Sequence, residues 1–123
     1  MTDPLRSAIA GRAPAMIERI TALASVNSYT ANKAGGDRVG AMLAEAFGAL
    51  PGVRVRTLAS AQYADHLVVE TEAGARTSAG CVALVGHLDT VFAPGSFDEV
   101  QVDGELLRGP GVLDMKGLSL IHI

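Results

Sequence analysis

An α/β fold is what the sequence predicts, on three observations. Two stretches of helical apolar spacing come first, three β-rich runs follow them, and the last run ends in a glycine just ahead of a histidine and an aspartate. Helices that precede strands of this kind pack as a layer on a sheet, and the edge where such strands stop is where α/β proteins usually bind ligands. The 123 residues suffice for one domain of ordinary size, without an internal repeat, a phosphate-loop signature or a second domain.

Met16, Ile17, Ile20, Leu23 and Ala24 recur at helical spacing behind Pro14, which suits a first turn because the N–H it lacks has no partner there. The stretch "VNSYTANKAGG" has no period and reads as a connecting loop, a stronger reading than a loop bordering a site, and leads to Asp37 as the expected N-cap of a second helix. Val39, Met42, Leu43, Ala46, Phe47 and Leu50 hold the helical pattern until Pro51-Gly52 stops it. "VRVRTL" alternates as a half-exposed strand, whereas "HLVVE" and "CVALVG" are more apolar, as central strands tend to be. In "EVQVDGELLRG", Asp103-Gly104 between two β-like runs predicts a hairpin with a type I′ turn. The hairpin delivers the chain to "GPGVLDMKG", a glycine-dense loop around one carboxylate, Asp114.

Charge and cysteine content narrow the partners. A net charge of −3 opposes a nucleic-acid partner, which calls for a basic face. Residues 1–60 carry a charge of +3 and the remainder −6, so carboxylates gather around the opening motif, where they suit a cation or form a solvated acidic face. The single cysteine, Cys81, has no internal disulfide partner and sits in an apolar run as a small core residue. Asp3 and Pro4 stand where a signal peptide carries positive charge, and no stretch approaches transmembrane length, so a cytoplasmic protein without a membrane partner is expected.

In extended chain, residues i and i+2 point to the same side, which puts His87 and Asp89 together. A histidine that binds metal through one ring nitrogen commonly donates the other N–H to a carboxylate, fixing its tautomer. Asp114 follows 25 residues after Asp89, where glycines let backbone approach a ligand closely. On spacing alone, a satisfied surface His-Asp pair and a turn-forming aspartate account for the same residues.

"VGHLDTVFAPGSF" followed by "LLRGPGVLDMKG" resembles the zinc exopeptidases and deacylases related to carboxypeptidase G, acetylornithine deacetylase, succinyl-diaminopimelate desuccinylase and aminoacylase. "SVNSYTANKAGGDRVGAMLAEAF" is also similar to the loop and helix preceding those motifs in glutamate-carboxypeptidase-like members. The resemblance implies that residues 1–117 are the N-terminal portion of a metallopeptidase catalytic domain, with helices packed on a mixed sheet. It implies His87 as a metal ligand, Asp89 as the catalytic residue that orients it, and Asp114 as the carboxylate bridging two zinc ions, or another divalent metal such as cobalt. Two such ions, roughly 3.5–4 Å apart, hold a hydroxide for attack on an amide bond. The bond after the bridging aspartate, here Asp114-Met115, is expected to be cis. The implied substrate is a small peptide or N-acyl amino acid, and the implied parent enzyme is a homodimer. The general-base glutamate and remaining metal ligands are expected beyond residue 117, so the fragment alone is expected to be inactive.

Two readings from other classes remain. One is a small non-catalytic α/β binding or interaction domain with a structural His-Asp pair; the other is a regulatory truncation that binds a full-length partner. The tail "LSLIHI", Leu118 to Ile123, interrupts the glycine motif and matches the translation of a transposon mosaic end, CTG TCT CTT ATA CAC ATC. It is therefore expected to be non-native, with His122 no ligand. His66, at the start of an apolar run, is expected to be dispensable.

Overall fold

The computed structural model describes residues 3–76 and 80–120. The first helix, α1 (Pro4–Ala24), starts at Pro4 rather than at the expected Pro14. Both prolines are compatible with this outcome at different cost. Pro4 occupies the first turn, where no N–H is needed, while Pro14 lies inside the helix and forfeits one backbone bond there. The helix is anchored by its last turn, where Leu23 and Ala24 are buried; Ile9 and Ile17 remain exposed.

The second helix, α2 (Lys33–Gly48), is capped by Asn32, whose side chain accepts the Gly35 N–H at 3.2 Å. The expected cap, Asp37, instead lies in the second turn and is used laterally. It pairs with Lys33 at 3.0 Å and accepts the Asp65 N–H at 2.8 Å, tying α2 to the chain just ahead of the strand that starts at His66. Val39 and Leu43, one turn apart, are buried with Leu23 of α1, and Ile20, Val26, Met42, Phe47, Leu67 and Leu88 pack around them. Full burial of an aliphatic side chain contributes about 1.5–3 kcal/mol, so this small cluster supplies much of the cohesion.

β1 (Val53–Leu58) and β2 (His66–Thr71) form an antiparallel pair in which Val55 faces Val69 and Leu58 faces His66. "HLVVE" is thus a strand as expected, though in a two-stranded sheet it has one neighbour, not two. A short helix, α3 (Glu72–Ala75), follows, with Thr71 accepting the Gly74 N–H as its cap. β3 (Gln101–Asp103) and β4 (Leu106–Arg108) form the expected hairpin. Its loop residues are Gly104 and Glu105, with Asp103 paired to Leu106. Only Gly104 of the two has positive φ, +58°, which is the pattern of a type II′ turn, not type I′.

"CVALVG" departs most from expectation. Cys81–Gly86 forms no strand, Cys81 is exposed and not a core residue, and Val82 and Val85 are 89% and 92% exposed. A strand exists only when another chain segment takes its N–H and C=O groups, and among the described residues none lies alongside this run. The expected mixed sheet is therefore absent among the described residues. What the described residues form is a small mixed α/β domain of four helices and two antiparallel two-stranded sheets, the fourth helix being α4 (Gly117–Leu120). The tail is thus helical as far as Leu120, and residues 121–123, His122 included, lie outside the described residues. No helix among the described residues is long and apolar enough to cross a membrane.

Candidate metal centre

From Gly86 onward the side chains alternate. His87 is exposed, Leu88 packs against the core, Asp89 is half-buried on the His87 side and Thr90 is buried. His87 and Asp89 thus share a side, as their spacing predicts. The stretch is held by the loop after α1: the Ser28 hydroxyl donates to the Leu88 carbonyl at 2.9 Å and the Thr90 N–H donates to the Ser28 carbonyl at 2.8 Å. The Thr30 N–H donates to the Thr90 carbonyl at 3.1 Å, and the Thr30 hydroxyl donates to Asp89 Oδ2 at 2.5 Å. The segment read from sequence as a plain connector therefore borders the site.

Asp114 arrives from the other direction. After the β3–β4 hairpin, residues Val112–Lys116 wind in a wide turn in which the Lys116 N–H donates to the Gly111 carbonyl at 2.8 Å. Asp114 breaks the turn with extended angles, φ −125° and ψ 98°, and its side chain is 83% exposed. The Asp114-Met115 peptide is cis. Two glycines lie where the segments meet. A Cβ on Gly86 would lie 2.6 Å from the Met115 methyl, and one on Gly111, which has a φ of +77°, would lie 2.9 Å from Lys116 Cδ. Met115 packs against Gly86 so closely that its sulfur accepts the His87 N–H at 3.3 Å.

These two segments bring His87 between two carboxylates. Its Nε2 is 3.0 Å from Asp114 Oδ1; its Nδ1 is 3.0 Å from the Asp89 carbonyl oxygen and 3.3 Å from Asp89 Oδ1. Asp89 thus holds the ring with its backbone as well as its carboxylate, a contact that the sequence reading assigned to the carboxylate alone. Partial burial lowers the His87 pKa, but the hydrogen bonds to Asp114 and to the Asp89 carbonyl, with the charges of both aspartates, outweigh it and leave the pKa raised.

His87 Nε2 and Asp114 Oδ1, 3.0 Å apart, are close enough to serve as two neighbouring donors to one cation. Asp89 sits on the far nitrogen and orients the ring. Among the described residues no three His, Cys, Asp or Glu side chains converge on a common point, whereas zinc takes three or four protein donors. His66 is exposed in β2 and bears on no part of this geometry.

Three further residues matter that the sequence did not single out: Ser28, Thr30 and Lys116. Lys116 is fully buried, donates to the Val26 carbonyl at 2.9 Å, and has its pKa pushed down to about 8 by burial. The polar run in "VNSYT" was the available signal for the first two; a lysine gives none, since its usual place is the surface. Comparison with known protein families finds no family model that matches the chain, and comparison with curated proteins finds no match either.

Proposed function

We propose that His87 and Asp114 contribute two donors to a divalent-metal centre of the amide-hydrolysing kind, with Asp89 orienting His87. The observation that carries this reading is the His87 ring clamped on both nitrogens, Nδ1 by Asp89 and Nε2 by Asp114 at 3.0 Å. That clamp leaves Nε2 and an Asp114 carboxylate oxygen 3.0 Å apart on an exposed edge of the ring, where both would serve one cation in place of the proton between them. A divalent cation held there by His87 and Asp114 would supply Lewis-acid chemistry toward an amide carbonyl. The chain's own residues do the rest of what can be assigned: Asp89 keeps Nδ1 protonated, and Asp114 contributes negative charge toward neutralising the cation.

The same reading extends to the protein as a whole, as the N-terminal portion of a zinc- or cobalt-dependent carboxypeptidase or amino-acid deacylase. Its substrate would be a small peptide or N-acyl amino acid, with Leu118–Ile123 a non-native tail. Two donors are fewer than zinc needs, so this chain alone binds the ion weakly and hydrolyses nothing. The test is titration of the purified chain with zinc and cobalt beside His87→Ala, Asp114→Asn and His66→Ala. Weak binding lost in the first two and kept in the third is expected; binding indifferent to His87 and Asp114 would overturn the proposal.

A further inference from the structure

We infer that Lys116 is a positioning residue for this site, setting where Asp114 stands relative to His87; the inference rests on the metal-centre reading above. A lysine that is 1% exposed with a single hydrogen bond, to the Val26 carbonyl, is an expensive choice for stability alone. Burying a charge costs several kcal/mol unless it is well paired, and an apolar side chain of the same shape is often neutral or stabilising in its place. The ammonium therefore earns its place by what it connects.

Val26 opens the five-residue stretch that already holds the other half of the site, through Ser28 to Leu88 and Thr90 and through Thr30 to Asp89. Lys116 ties the Asp114 segment to that same stretch. Among the described residues it makes the one hydrogen bond between residues 112–116 and residues 25–30. Both halves are thus referenced to Val26–Thr30, and the gap between His87 Nε2 and Asp114 Oδ1 follows from the two sets of ties. The local structure makes room for this tie: Gly111 has no Cβ, and one there would meet Lys116 Cδ and Cγ at 2.9 and 3.0 Å. Between Lys116 and Asp114 stands Met115, whose sulfur contacts His87, so a slip at Lys116 carries directly to the ligand pair.

The experiment compares the full chain with Lys116→Met, which keeps the aliphatic stem and removes the ammonium. Thermal melting, metal-free nuclear Overhauser contacts between the Met115 methyl and the Gly86 α-protons, and zinc affinity are measured on both. The expected result is an unchanged or higher Tm together with loss of the Met115–Gly86 contact and zinc affinity reduced about 10-fold or more. An intact contact in Lys116→Met overturns the inference. So does a variant that fails to fold, because the ammonium would then hold the fold and not the site. The methyl contact needs no metal, so a wild-type chain that binds no zinc defeats the metal-centre reading while leaving the positioning test to be decided on its own.

Discussion

Zinc binding to this chain should release one proton, and that proton should come from His87. The ring has hydrogen-bond partners on both nitrogens, Asp89 at Nδ1 and Asp114 at Nε2, and a neutral imidazole has only one N–H to give. The metal-free site is therefore satisfied by the imidazolium, in line with the raised His87 pKa. A cation between Nε2 and Asp114 must displace the Nε2 proton. Below the raised pKa, apparent zinc affinity should fall about tenfold, or 1.4 kcal/mol, per pH unit, and above that pKa it should level off. The metal-free fold responds in the opposite sense. A folded-state pKa above the unfolded value contributes stability that is full below about pH 6.5 and is lost as pH rises through the folded pKa. The exposure of the ring keeps that contribution small through solvent screening. Calorimetric titration in two buffers of different ionisation enthalpy, from pH 5.5 to 8, reads both the slope and the proton count. A flat affinity across that range, or no proton released at pH 5.5, would refute the reasoning.

Asp114→Asn should abolish measurable zinc binding by removing an anionic donor, whereas Asp89→Asn should weaken it about 10- to 100-fold by loosening the ring; metal analysis after dialysis separates the two. If Asp89→Asn empties the site and Asp114→Asn does not, the two roles are reversed. Thr30→Val frees the Asp89 carboxylate from its 2.5 Å hydrogen bond and should weaken zinc within that same range, with Thr30→Ser restoring it; equal affinities for all three would show that the bond does not matter. Burial depresses the Lys116 pKa to about 8 from 10.5, so the folded chain sheds that proton first, and stability should rise with pH between those values by up to about 1.4 kcal/mol per unit; urea melts that lack this rise, or that show it equally in Lys116→Met, count against it. Leu43→Ala empties part of the small buried cluster and should cost about 2–5 kcal/mol in the same melts, while a loss below 1 kcal/mol would mean the cluster does not hold the helices together.

What was legible in the sequence is what short-range physics decides. The core-facing stripe of α2 follows from spacing, and the β3–β4 hairpin from Asp103-Gly104 between two β-like runs, although the loop falls at Gly104-Glu105 with one positive φ and not two. Cap position was misread: Asp37 is the expected cap, and Asn32, which takes that place, lies within the stretch that reads as a connecting loop. The choice falls to Asn32 because Asp37 is engaged with Lys33 and Asp65, a contact between segments 28 residues apart. "CVALVG" failed for a related reason: its composition states what the run would do beside other strands and cannot supply them. At the site, His87, Asp89 and Asp114 stood out as polar groups at the end of an apolar run or inside a glycine loop. Their supports did not, since Ser28, Thr30 and Lys116 act through tertiary bonds to backbone carbonyls and one carboxylate.

The choice between a metal centre and a structural ion pair turns on a property that both share. In either case His87 stands between Asp89 and Asp114, and in either case one edge of the ring must be filled by a positive charge. A structural pair is complete with a proton there, and the groups around it should then be shielded and locally held. The observed site is otherwise built: the Asp114 side chain is 83% exposed, and backbone angles outside the helical range turn it outward at the point where the Val112–Lys116 turn breaks. The buried Lys116, tied to the Val26 carbonyl, keeps that break in register with His87. Surface ion pairs contribute about 0–1 kcal/mol, too little to account for a buried ammonium in its support. On the metal-centre proposal, a cation would take the place of the proton that closes the 3.0 Å bond between His87 Nε2 and Asp114 Oδ1 in the metal-free chain.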